Sequence, residues 1–196
     1  MSDQEIPLFP LLTVLYPGGP LPLRIFEARY IDMVSACMKS GTGFGVCLIR
    51  EGSEVGTAAA THDIGTLAKI EDWHQRHDGL LGITVLGQQR FELRSVRVQS
   101  DQLSWAKVDM LAPEPSMQMP ERHLVLVDVL RRTIEGIGSH YAQLPTHYAD
   151  ASWVGYRLAE LLRLKLSQKQ YFLQIDDPVQ RLDGISELMS RFDSLA

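Results

Sequence analysis

Cysteine is scarce, with two residues in the 196-residue chain, Cys37 and Cys47. A disulfide framework is excluded as the basis of the fold, and both are expected to be free buried thiols, as suits a reducing compartment. No apolar run approaches the ~18 residues that span a bilayer. The opening Met1-Ser2-Asp3-Gln4-Glu5 is polar and acidic, so no basic, then apolar, leader is visible. The expectation is a cytoplasmic protein with no membrane partner. Positive charge is also short: 19 Lys and Arg face 24 Asp and Glu, a net charge of -5. That argues against nucleic acid as a partner, because phosphate binding needs clustered positive charge.

Catalytic signatures are missing too. No G-x-x-x-x-G-K-[ST] loop is present, nor any G-x-S-x-G elbow or H-E-x-x-H pair. Gly41-Thr42-Gly43-Phe44-Gly45 is glycine-rich but leads into a strand. A phosphate cradle needs a helix after it. His62, His74 and His77 lie close in sequence but lack the tight spacing of a zinc site. The residues point to no enzyme, no cofactor and no metal.

What is present divides the chain by pattern. Residues 1–112 read mostly as strands. Ile6 to Val14 carries Pro7 and Pro10, which predicts an edge strand or rim segment. Phe26, Tyr30, Met33, Val34, Cys37 and Met38 recur at helical spacing, with Gly41 as the stop. Phe44 to Ile49, Ile64 to Trp73, Leu80 to Leu93, Val96 to Val98 and Leu103 to Leu111 read as further strands. His77-Asp78-Gly79 is a hairpin turn, and Gly82 and Gly87 suggest tight bends. The pattern predicts a small closed or nearly closed barrel.

Residues 113–120 contain three prolines and read as a linker. Residues 121–196 read as a helical bundle. Leu126, Leu130, Ile134 and Ile137 form one stripe, and Ser152 is expected to cap a second helix. Ser167 and Gln170 suggest a capping box, and Asp177-Pro178 starts a last helix with Val179, Leu182, Met189 and Phe192 inward.

Three segments carry a family resemblance. They are Ile6 to Leu11, Val14-Leu15-Tyr16-Pro17-Gly18, and Leu21 to Tyr30 (L-P-L-R-I-F-E-A-R-Y). Together they resemble the opening of the Lon protease N-terminal, substrate-recognition domain family. Ile64-Gly65-Thr66-Leu67-Ala68, Gly87-Gln88-Gln89-Arg90-Phe91 and Asp177 to Leu182 look like later parts of it. The resemblance implies an α+β fold: a PUA-like β pseudobarrel with one early helix, followed by a C-terminal helical bundle. It also implies a non-enzymatic module that binds unfolded or partly folded polypeptides or a protein partner, ending before any ATPase or protease part. The similar domain of cereblon serves as an interaction scaffold.

Phe26 and Tyr30 are expected in the core. Arg24, Glu27 and Arg29 are the candidate binding residues, lining a groove for an extended peptide. The alternatives are a PUA-like RNA-binding protein and a small-ligand binder with its site at the interface of the lobes.

Overall fold

A computed structural model describes residues 4–137 and 145–193, with the side chains of 192 and 193 left out. The chain divides into two compact units, Met1–Pro113 and Glu114–Ala196.

The first unit holds β1 (Gln4–Leu11), β2 (Pro20–Ile25), α1 (Ala28–Ser40), β3 (Phe44–Glu51), β4 (Ala60–Thr61), β5 (Ile64–Gln75), β6 (Leu81–Val98) and β7 (Ser104–Met110). The strands run in the order β1-β7-β6-β5-β3, and β1 also pairs with β3. The path therefore returns on itself as a barrel.

β1 is the closing strand, where an edge strand or a rim segment was expected. Gln4 to Pro7 pair antiparallel with Val108 to Trp105. Leu8 to Leu11 pair parallel with Gly45 to Leu48. Each half uses a different flank. A proline need only avoid the flank that is paired at its own position, so Pro7 and Pro10 fit inside a closed wall.

Two apolar clusters fill the unit. One joins Phe9, Tyr30, Met33, Val34, Cys37 and Phe44, with Phe9 stacked on Tyr30 at 4.1 Å between ring centres. The other joins Ile6, Leu8, Cys47, Phe91, Ala106 and Val108. Phe26 belongs to neither, and is 50% exposed. The helix begins only at Ala28, and Glu27 before it is extended (φ -82, ψ 136). Helical phase does not reach back to Phe26, so the stripe read from the sequence starts at Tyr30. Phe26→Ala should then change unfolding free energy by only about 0.5 kcal/mol in a urea titration. Met38, at the other end of the stripe, is also exposed.

The stop at Gly41 (φ 68) is left-handed, and its N–H returns to the Cys37 carbonyl. The turn around Gly79 (φ 80) joins β5 to β6. β6 does not break before Val96; a register shift between Leu93 and Ser95 leaves Arg94 as an extra residue in one continuous strand.

Three of the sequence motifs meet at one place. Gly18 N–H donates to the Gly87 carbonyl at 2.8 Å, and Gly87 N–H to the Gly19 carbonyl at 2.9 Å. The Thr66 hydroxyl donates to the Leu15 carbonyl at 2.6 Å. A Cβ at Gly87 would lie 2.1 Å from the Tyr16 carbonyl oxygen. Gly87→Ala must push the Tyr16–Gly19 turn off β6, at a cost of about 2 kcal/mol in the same titration.

Both cysteines are free and buried. Burial pushes the Cys47 thiol up to about 12 and raises that of Cys37 as well. Both thiols stay protonated, and only a thiolate alkylates. The folded chain should resist iodoacetamide at mildly alkaline pH and label at both sites in denaturant, as read by mass spectrometry.

The second unit begins with an extended segment. Ala151 N–H donates to the Met117 carbonyl at 2.7 Å and Met119 N–H to the Ala149 carbonyl at 2.8 Å. Of residues 113–120, read as a linker from their prolines, Met117 and Met119 thus bond into this unit, which begins at Glu114. After a short turn at Glu121–His123 come α2 (Leu124–Ile137), α3 (Ala151–Leu161), α4 (Leu166–Gln174) and α5 (Pro178–Asp193).

Asp150 caps α3, accepting from Ser152 N–H at 2.9 Å, where Ser152 itself was expected. A carboxylate one residue before the first turn has the right reach, and Ser152 is already inside it. The α4 box is displaced by two residues: Gln168 accepts from Lys165 N–H at 2.9 Å, and Gln170 is buried. Asp177 does cap α5, accepting from Val179 N–H at 2.8 Å. Of the inward residues expected there, Leu182 is fully buried, Val179 and Met189 are half-buried, and Phe192 lies outside the described side chains.

Arg181 sits at the centre of this unit with no exposed surface. Its Nη1 and Nη2 donate to the Glu114 carboxylate at 3.0 and 2.5 Å. Its Nε donates to the Phe172 carbonyl at 3.0 Å. Nη2 also donates to the Ile175 carbonyl, and the guanidinium lies 3.8 Å from the Tyr156 ring centre. The Tyr156 hydroxyl donates to Glu114.

Candidate functional site

Two hollows of the first unit lie around the end of α1. The helix end is capped by its own residues. The Ser40 hydroxyl donates to the Ala36 carbonyl at 2.8 Å and lies 2.7 Å from the Thr42 hydroxyl. Thr42 N–H donates to the Cys37 carbonyl at 3.1 Å. Gly43 then passes so close to β5 that a Cβ would meet the Ala68 carbonyl oxygen at 2.4 Å. The chain turns sharply here, and a hollow opens on each side of the turn.

The larger hollow has a volume of about 480 Å³, with Ile6, Pro7, Met33, Leu67 and Trp105 in its wall. The smaller, about 230 Å³, is lined by Met38, Lys69, Ile70, Glu71, Asp72 and Trp73. Both include Cys37, Gly41 and Thr42. The two hollows meet at these residues of the helix end and are taken together as one groove, with Trp105 in the wall of the larger and Trp73 in that of the smaller. Trp73 is 59% exposed and Met38 42%. The Trp105 indole N–H is buried and has no acceptor among the described residues. The groove has apolar walls and both charge signs at its rim. It suits a flexible apolar chain better than a phosphate or a metal ion.

The three residues singled out from sequence do not line this groove. Arg29 is buried. Its Nη1 donates to the Gln102 carbonyl at 2.9 Å and its Nη2 lies 3.0 Å from Glu27. It therefore ties the start of α1 to the β6–β7 turn, where Gln102 is left-handed (φ 69). Glu27 also accepts from Gly56 N–H at 3.4 Å. Arg24 lies apart from this pair. It points to Asp78 at 3.6 Å and sits 5.9 Å from the Phe26 ring centre. Glu27 and Arg29 are brought together by the fold and Arg24 is not.

Sequence reasoning passed over Trp73, Trp105 and Met38. Trp73 was visible only as the end of an alternating strand, and Met38 as the end of a helical stripe. Their exposure follows from where β5 and α1 outrun the barrel, and no local pattern encodes that. Among the described residues, no group of three or more His, Cys, Asp or Glu is placed to hold a metal ion. Among the same residues, no helix is long and apolar enough to cross a membrane.

Comparison with known proteins follows this geometry. The family model described as the ATP-dependent protease La (LON) substrate-binding domain matches residues 5–191. A crystal structure of a Lon N-terminal domain protein from Xanthomonas campestris is 36% identical, with a TM-score of 0.79, over 94% of this chain and 98% of that one. The N-terminal domain of Mycobacterium avium complex Lon protease shares the fold at a TM-score of 0.66 and 20% identity, over 95% and 98% of the two chains. Among curated proteins, Lon protease of Cytophaga hutchinsonii is 26% identical over 97% of this chain, and cereblon of Xenopus tropicalis 31% over 64%. The chain spans 25% of the first and 28% of the second.

Proposed function

The chain belongs to the LON substrate-binding domain family, and from that premise we propose that it binds unfolded or partly folded polypeptides by itself, as a recognition module without catalysis. The matching family model is of a substrate-binding domain, not of an ATPase or protease domain. The observation that carries the reading further is the groove round the end of α1. It exposes Met38 and Trp73 together, and exposed apolar surface bordered by polar groups marks interaction sites. A bound chain would cover these side chains.

The groove gives the module a preference for apolar segments in extended form. Folded proteins keep such segments inside, so selection for unfolded chains follows. Arg24 and Phe26, on the surface beside the β5–β6 turn, extend the apolar and cationic area available to a longer ligand. Glu27 and Arg29 serve it indirectly by fixing the start of α1.

Trp73→Asp tests the reading. It places a charge on an exposed apolar wall without touching the core, so stability should hold within about 0.5 kcal/mol. Affinity for a reduced, carboxymethylated carrier protein, followed by fluorescence anisotropy, should fall about tenfold. Unchanged affinity would remove the groove from the docking surface.

A further inference from the structure

β6 outruns one of its neighbours. It pairs with β5 only as far as Glu92, which faces Ile64. β7 continues beside it to Val98, which faces Ser104. Arg94 to Val98 are all exposed. Among the described residues, no strand pairs with their other flank.

Hydrogen-bond parity decides what that flank offers. Gln99 N–H donates to the Leu103 carbonyl at 2.9 Å. By the two-residue repeat of an antiparallel ladder, Arg97 and Ser95 also direct their backbone groups at β7. Val96 and Val98 therefore turn theirs outward. Their side chains are 49% and 52% exposed, opposite Ala106 and Ser104, which are buried. Backbone donors, acceptors and β-branched side chains are all open along one strand-length stretch.

The flank of β2 makes the contrast. Among the described residues, this strand pairs with β6 alone. Gly87 N–H donates to the Gly19 carbonyl at 2.9 Å, which by the same parity points Leu21, Leu23 and Ile25 at β6. Pro20, Pro22 and Arg24 face out, and two of these three have no N–H. Prolines close the β2 edge to a further strand, whereas Arg94–Val98 holds no proline, and its bulge at Arg94 leaves Ser95–Val98 as regular, unpaired edge among the described residues.

We propose that Arg94–Val98 is a strand-addition site, which takes an extended polypeptide segment with apolar side chains at alternate positions and neutral or acidic ones between. This rests on the polypeptide-binding reading above. The edge adjoins the groove, because the Arg97 guanidinium lies 5.5 Å from the ring centre of Trp105, which lines it. Arg94 is paired with Glu92 and Asp109, and Arg97 with Glu5. A second copy paired antiparallel about Arg97 would set Arg97 against Arg97, and one paired about Val96 would bring the bulged Arg94 of each copy into the ladder, so an unfolded segment fits this edge better.

Hydrogen exchange on the full chain tests this, with and without saturating reduced, carboxymethylated carrier protein. The Val96 and Val98 amides should slow at least about tenfold on binding. Val96→Pro deletes only an outward donor and should weaken binding about tenfold, whereas Val96→Thr should leave it nearly unchanged. If Val96→Pro does not fold, a binding peptide from the carrier, methylated at alternate backbone nitrogens, should lose its affinity for the wild-type chain. Binding without protection at Val96 and Val98, or full affinity of the methylated peptide, overturns the site but leaves the function standing. Absence of any binding overturns both. Protection that grows with protein concentration alone assigns the edge to a second copy and overturns the proposal.

Discussion

Arg181→Met is expected to lower the unfolding free energy by about 3–5 kcal/mol, the usual cost of breaking a buried ion pair from one side. The side chain has no exposed surface, and its carboxylate partner Glu114 is 6% exposed. Methionine fills much of the volume but gives up the paired bonds to Glu114 and those to the Phe172 and Ile175 carbonyls. Most of the destabilisation comes from the group left behind, a carboxylate held away from water without its cation. Glu114→Gln in the same chain removes that charge, so the double variant should be more stable than Arg181→Met alone. Urea unfolding followed by circular dichroism reads both. Equal stability of single and double variants would mean that the stranded charge does not set the cost.

Phe91→Ala should cost a comparable 3–5 kcal/mol, for a different reason. The ring is fully buried in the second barrel cluster. It faces backbone: a Cβ at Gly45 would lie 2.7 Å from its Cζ, and one at Gly65 2.6 Å. Those two glycines make room for the ring on paired strands. When the ring is deleted, strands locked in their ladders cannot move in to close the void, so the full cavity penalty applies. The contrast with Phe26→Ala is the informative result. Two phenylalanines inside motifs of the same resemblance should differ severalfold in cost, because one plugs the barrel and the other lies on its surface.

Much of the fold was legible because its signals are local. Gly41 ends α1, Gly79 turns the hairpin and Asp177-Pro178 opens α5, each through the chemistry of one or two residues. What escaped depends on partners distant in sequence. β1 reads as an edge from its prolines, and only its split pairing with β7 and β3 reveals a closing strand. Residues 113–120 read as a linker, yet the main chain of Met117 and Met119 bonds to Ala151 and Ala149 at the start of α3. Arg181 gave no sign of its role, since its carboxylate lies 67 positions earlier.

The candidate site was less legible than the fold. Arg24, Glu27 and Arg29 stand out because charge beside a helix start attracts notice. Arg29 and Glu27 are occupied with holding α1 in place, while the open apolar groove lies at the other end of that helix. Exposure of Met38, Trp73, Val96 and Val98 is a property of where elements overrun their neighbours. Hydrophobic periodicity reads such residues as core.

The most direct test of the account is a single titration series. The wild-type chain is titrated with one carrier protein in two forms, native with its disulfides intact and reduced and carboxymethylated, and binding is followed by anisotropy. The account predicts saturable binding of the unfolded form and none of the native form at the same concentrations. Equal binding of both forms, or binding of neither, would contradict it.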